Sequence, residues 1–132
     1  MSEQQPACTY RVLDGNINEF VINEPSRRAV DFIFDKAIEL LMQDPKKAYP
    51  GLIDARIGSL PLNYMLTRVR EVARQFPRRT PARVVVLAEA RPLVNAAAIF
   101  LRPILPIRLY NPADREHALA WLREGVEVSS RR

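Results

Sequence analysis

Hydrophobic and polar residues alternate along residues 9–23, in two runs separated by Asp14-Gly15-Asn16. Alternation with a period of two is typical of a β-strand that buries one face. Glycine in an Asp-Gly pair readily takes the positive φ that a tight turn between two strands requires. The pattern therefore predicts an amino-terminal β-hairpin.

The period changes after residue 26, where apolar residues recur every three or four positions. They are Val30, Ile33, Phe34, Ala37, Ile38 and Leu41. This spacing places them on one face of a helix. Ser26 is a favoured N-cap residue, and Pro45 disfavours helical geometry at Asp44, so we expect a helix between these limits.

Short apolar runs and helical patterns then follow one another to the end of the chain. The continuously apolar run at residues 82–89 is typical of a strand that is covered on both faces. Asn111 is expected to cap the last helix, and Gly125 to stop it. The predicted strands are at Leu52-Ile53, residues 82–89 and residues 106–110, and the predicted helices are at residues 61–76, 91–105 and 111–125.

Alternating strands and helices predict a single α/β domain. We expect a mixed, mostly parallel sheet of about five strands with about four helices, in the order ββαβαβαβα with an N-terminal hairpin. The domain is assigned to residues 8–125, between a disordered amino terminus (residues 1–7) and a frayed tail (residues 126–132). A chain of 132 residues can bury a core of its own without disulfide bonds.

Composition and charge bear on the partners and the cellular location expected of the protein. Lys and Arg total 20 against 15 Asp and Glu, a formal charge of +5, which permits an anionic partner without requiring one. No apolar run reaches the roughly 18 residues that cross a bilayer, and residues 1–7 do not form a signal peptide. We therefore expect a cytoplasmic protein with no membrane insertion. The single cysteine, Cys8, excludes an internal disulfide bond and is expected to be inert.

Catalytic motifs are missing from the sequence. There is no glycine-rich phosphate loop, no Gly-x-Ser-x-Gly elbow and no Cys/His pair at zinc-binding spacing. The only histidine, His117, has no Ser, Cys or paired acid beside it and is predicted to be a surface or boundary residue. Trp121 lies on the apolar stripe of the last helix and is predicted to anchor the core. We expect no enzymatic activity, no cofactor and no metal.

Four arginines lie between Arg74 and Arg83, among them Arg78 and Arg79. Arg78 and Arg79 are candidate anion-binding residues. The alternative is that these cations offset the dipole at the carboxyl end of a helix. Because no aromatic residues alternate with the arginines, as a stacking surface for nucleic acid would need, nucleic-acid binding ranks third among the functions considered.

A second candidate site follows the predicted third strand, at Asp54, Ser59 and Asn63. In open α/β sheets, ligands bind where the carboxyl ends of strands face helix amino termini. The exposed N–H groups of a helix amino terminus favour an anion there. Ser59 or Asp54 could instead satisfy the same N–H groups as a cap, so both roles stay open at this point.

Three segments of the chain, "LIDARIGS", "ARVVVLAEA" and "IRLYNPADREHALAWLRE", together resemble the SpoIIAA-like branch of the STAS domain superfamily. The resemblance covers nearly all of residues 8–125. It implies a small mixed sheet flanked by helices on one side, and non-enzymatic work such as the antagonism of anti-sigma factors. In such antagonists, a serine at the start of the helix after the "L-D" strand is phosphorylated, which blocks partner binding. Here Asn63 falls near that position, "SLPLN" replaces the family's "DSSG", and Ser59 could substitute only with a shorter loop.

The leading hypothesis is therefore a non-enzymatic regulatory module that binds another protein through Asp54, Ser59 and Asn63, with homodimer formation left open. The alternative is a binder or carrier of a small apolar or anionic ligand, as in the SEC14-type domains with which this branch is compared. Residues 91–105 are rich in small side chains, so room for such a ligand is expected beneath that helix. Nucleic-acid binding through Arg74 to Arg83 is the third option.

Overall fold

The computed structural model describes residues 6–55, 61–89, 102 and 106–130, with side chains to residue 125. Within these residues, five strands form one mixed sheet in the order β1-β2-β3-β4-β5. The strands are β1 (Cys8–Leu13), β2 (Ile17–Ile22), β3 (Gly51–Asp54), β4 (Val84–Leu87) and β5 (Ile107–Tyr110). β1 and β2 are antiparallel and the remaining neighbours are parallel, which confirms the predicted sheet.

The amino-terminal hairpin forms where the Asp-Gly pair predicted it. Leu13 and Ile17 are the last paired residues before the turn. Gly15 and Asn16 have φ angles of 86° and 60°. Glycine carries no steric penalty in this left-handed region, and asparagine tolerates it better than most residues.

The described residues contain three α-helices: α1 (Arg27–Gln43), α2 (Leu62–Gln75) and α3 (Arg115–Ser130). The Ser26 hydroxyl accepts a bond from the Ala29 amide at 3.4 Å, and Asp44 is the C-cap that follows the last helical residue, Gln43, both as predicted. Asn111 caps a single 3-10 turn (Pro112–Asp114) that leads into α3. The predicted helix at residues 91–105 lies outside the described residues except for Arg102.

Helices α1 and α2 cover one face of the sheet. Phe20, Ile53 and Val86 are register partners on β2, β3 and β4, so their side chains form a row on that face. Ile33 of α1 and Val69 of α2 are buried in the same cluster. This cluster holds most of the aromatic part of the core.

Helix α3 covers the opposite face. Ala118 and Leu122 of α3 pack on Leu52 and Val85, and all four side chains are fully buried. The expectation of helices on one side of the sheet is therefore wrong. Helices are needed on both sides because β3 and β4 are apolar at nearly every position, and such strands must be covered on both faces.

Gly125 does not stop the last helix. Helix α3 continues to Ser130, so the predicted helix end at Gly125 is wrong. A Cβ atom at residue 125 would lie 2.5 Å from Cδ of Arg83, closer than two carbon atoms can approach. Gly125 therefore permits the helix to pass close to Arg83.

Residues that precede β1 contact the edge of the sheet. Ala7, assigned to the disordered amino terminus, is buried in the core cluster beneath α1. Its carbonyl oxygen accepts bonds from the amides of Asn23 and Glu24 at 2.9 and 3.3 Å. These contacts extend the ordered edge of the sheet by one residue before Cys8.

Candidate functional site

An apolar cavity of about 190 Å³ lies between α1, α2 and the sheet face that they cover. Phe20, Ile53 and Val86 of the sheet line it. Its helical lining comprises Ile33, Phe34, Ala37, Leu40 and Leu41 of α1 and Met65, Val69, Val72 and Ala73 of α2. For comparison, an engineered apolar cavity of about 150 Å³ in another protein stays dry and binds benzene.

Small residues account for the space. Ala37 of α1, Ala73 of α2 and Gly51 of β3 all line the cavity. Most apolar positions of the two helix stripes carry larger side chains, which fill the interface elsewhere. Two alanines within otherwise large apolar stripes leave room that a leucine at either position would reduce.

The cavity opens at the amino ends of the parallel strands. Residues 79–82 precede β4, and Tyr49 precedes β3; both segments line the cavity. Phe20 and Ile53 at its base are buried, whereas Pro81 is exposed to solvent. The opening is therefore at the amino ends of the strands. The site predicted from the sequence is at the opposite end of the sheet, at the carboxyl ends.

Two loops meet at this opening. The Thr80 amide donates to the Pro45 carbonyl at 3.1 Å, and the Thr80 hydroxyl donates to the Lys46 carbonyl. The Tyr49 hydroxyl lies 2.8 Å from the Leu40 carbonyl and 2.9 Å from the Asp44 carbonyl. Burial, followed by the charge of Asp44, raises the pKa of Tyr49. These bonds hold the rim of the cavity to the end of α1.

Arg79 brings a positive charge to the cavity. It is the only charged residue among the described residues that line it. Its side chain is half-buried, and Nη1 donates to the Phe76 carbonyl at 3.0 Å, at the end of α2. Arg78, the other predicted anion-binding residue, is exposed on the same loop.

The basic cluster does not form one surface. Arg79 lines the cavity, whereas Arg83 donates to the Trp121 carbonyl at 2.8 Å on the α3 side of the sheet. Arg83 also lies 3.6 Å from the Glu124 carboxylate. A continuous basic face for nucleic acid would need these side chains to point the same way, so the described residues do not support the third option.

The residues of the predicted interaction surface are divided between the two sides of the sheet. Asp54 is 4% exposed and shares the face of Leu52, which α3 covers. Asn63 is exposed in the first turn of α2, the helix on the other face. Ser59 lies outside the described residues. The structure therefore does not bring Asp54 and Asn63 together.

The carboxyl-terminal helix carries the only histidine and the only tryptophan of the chain. His117 is exposed, as predicted. Trp121 is half-buried at the border of the core cluster, with the guanidinium carbons of Arg83 and Arg108 at 4.8 and 4.6 Å from its ring centre. Both arginines make cation–π contacts with the ring, which holds α3 on the sheet.

A buried ion pair on the α3 side escaped the sequence analysis. Glu19 is 1% exposed and accepts bonds from Arg11 of the neighbouring strand and from Arg115 at the start of α3. Burial raises the pKa of Glu19, but Arg11 and Arg115 together outweigh burial and lower it below its ordinary value. A glutamate inside an alternating strand gives no sign of such burial, because polar positions of the strand are expected to face solvent.

The described part of the chain contains no group of three or more His, Cys, Asp or Glu side chains that could hold a metal ion. None of its helices combines the length and the apolar character needed to cross a membrane.

A scan against protein-family models and searches of curated proteins and of solved structures find no match to this chain. The likeness to STAS domains therefore stays a prediction.

Proposed function

We propose that the protein binds a small, largely apolar molecule in the cavity between α1, α2 and the sheet. The observation that carries this proposal is the apolar lining of a space of about 190 Å³ that opens between the loops at residues 44–50 and 76–83. Ligand pockets are typically apolar, with a few polar groups that fix orientation. Here the polar lining residues are Asn18, Tyr49, Arg79 and Thr80.

Binding without chemistry fits the lining better than catalysis. The described lining residues include no carboxylate, histidine or cysteine, the groups that most often transfer protons or attack substrates. The Tyr49 and Thr80 hydroxyls are held by backbone carbonyls of the rim. The proposed role is therefore that of a carrier or sensor of its ligand.

The apolar lining alone supports only weak binding of an apolar ligand. Burial of a five-carbon chain, at about 0.8 kcal/mol for each methylene group, gives about 4 kcal/mol. That corresponds to a Kd of about 1 mM for an apolar molecule without polar contacts. A tighter natural ligand would have to use the polar groups at the opening as well.

Toluene titration followed by two-dimensional NMR tests the proposal. We expect millimolar binding with shifts at cavity residues such as Val69 and Ile53. In A37L, the added leucine fills the space and should weaken binding at least tenfold. The matched control is A120L, which makes the same change at an exposed position of α3.

Two results would contradict the proposal: no binding to the unmodified protein, or equal binding to A37L and the unmodified protein. If A37L does not fold, A73L fills the cavity from α2 and serves the same purpose. Thermal unfolding of each variant shows beforehand that it is folded.

The interaction module predicted at Asp54, Ser59 and Asn63 stays a prediction. Asp54 is buried, so a protein partner that docks at this end of the sheet would contact Asn63 and the turn of α2 that follows it, and not Asp54. The cavity is the better supported site because its residues lie together in the structure.

A further inference from the structure

Arg79 is the one charge that the described residues bring to an otherwise apolar cavity. A half-buried guanidinium has lost part of its contact with water, so its attraction to a negative charge is stronger than on an open surface. Its position is fixed by the Nη1 bond to the Phe76 carbonyl. A guanidinium carries five N–H donors in one plane, so it can bond to several acceptors at once, a ligand anion among them.

Most other charged side chains around the opening are also positive. The loop at residues 44–50 carries Lys46 and Lys47, and the loop at residues 76–83 carries Arg78 beside Arg79. Lys46, Lys47 and Arg78 are exposed, and Asp44 is the acidic side chain of these two loops. Contacts of Thr80 with Pro45 and Lys46 join the loops, which brings their charges to one end of the cavity.

We infer that the ligand is an amphipathic anion, with its carboxylate or phosphate group on Arg79 and its apolar part between α1, α2 and the sheet. This inference rests on the proposed function. Arginine matches both groups because its planar fork can donate two parallel hydrogen bonds to them. The exposed cations raise the local concentration of such an anion, while the apolar lining rejects a fully hydrated one.

The test compares ligands that share one five-carbon alkyl chain and differ in head group. Calorimetry with hexanoate, pentyl phosphate, hexanamide and pentylammonium separates the contribution of the charge from that of the chain. We expect hexanoate or pentyl phosphate to bind at least tenfold more tightly than hexanamide, and pentylammonium to bind most weakly. The tighter of the two anions identifies the preferred head group.

The variant R79Q should bring the ratio of the anion affinity to the amide affinity from at least ten down to about one. The matched control is R74Q, which removes an exposed charge in the last turn of α2, outside the cavity lining, and should preserve the preference. Thermal unfolding establishes that both variants are folded, and R79K shows whether charge alone restores the preference or the planar fork is required.

Failure of this inference is distinguishable from failure of the proposed function. Equal affinities for hexanoate, pentyl phosphate and hexanamide in the unmodified protein would overturn the assignment of an anion, while toluene binding would still support the cavity. An unchanged preference for the anion in R79Q would also overturn it, because Arg79 would then not hold the head group. No binding of any of these ligands or of toluene would overturn both.

Discussion

Replacement of Arg115 by methionine tests how α3 is held on the sheet. Glu19 lies buried between Arg11 and Arg115, and the two arginine side chains are 65% and 30% exposed. Removal of one partner from a buried ion pair costs about 3–5 kcal/mol when the remaining charge has no other partner. Arg11 still contacts Glu19 in R115M, so we expect a loss of about 2 kcal/mol, close to that of one hydrogen bond to a charged group.

Urea denaturation of R115M, E19M and the double variant E19M/R115M measures this loss and assigns it to the pair. The double variant removes the buried charge together with Arg115, so its free energy of unfolding should lie within about 1 kcal/mol of that of the unmodified protein. The reasoning would be refuted if R115M lost less than about 0.5 kcal/mol. It would also be refuted if the double variant lost as much as the two single variants together.

The same pair predicts a dependence of stability on pH. The pKa of Glu19 is lower in the folded protein than its ordinary value, so the unfolded chain takes up the proton first as the pH falls. The stabilisation is therefore complete above the ordinary glutamate pKa of about 4.3 and is lost as the pH falls through the lower, folded value. R115M should show a smaller acid-induced loss than the unmodified protein when both are unfolded in urea between neutral and acidic pH.

Two further predictions concern single positions. G125A should lower the free energy of unfolding, although alanine favours a helix by about 1 kcal/mol, because its Cβ would meet the side chain of Arg83. In the R83A variant, where that side chain is absent, the same substitution should no longer be destabilising. An unchanged urea midpoint in G125A would contradict the close approach. Cys8 is 2% exposed, and burial raises the pKa of its thiol to about 11. Its reaction with an aromatic disulfide reagent at pH 8 should therefore be slow in the native protein and fast in urea. Equal rates in both would show that the thiol is accessible in the native fold.

Local chemistry made part of the fold predictable from the sequence. Ser26 and Pro45 set the ends of α1 through capping and the loss of helical geometry, and both act within one turn of the chain. Gly15 supplies the positive φ of the hairpin turn for the same kind of reason. The apolar runs of β3 and β4 likewise required cover on both faces, although the resemblance to a known family suggested helices on one side only.

Features that depend on distant residues could not be predicted in this way. Gly125 has the character of a helix stop, and only its distance from Arg83 shows another role. Ala37 and Ala73 belong to ordinary helix stripes until the packing of α1 against α2 places both on one cavity. Asp54 had the residue type and position of a docking group, but its face of the sheet is decided by where α3 packs.

The position of Trp121 has an optical consequence. The chain has a single tryptophan, and its ring lies between Arg83 and Arg108 on the face of the sheet that α3 covers. Its fluorescence therefore reports the seating of α3, while the cavity lies behind the sheet on the other face. A ligand that fills the cavity should leave the emission unchanged, so any spectral shift on ligand addition would reveal that the sheet transmits strain from one helical layer to the other.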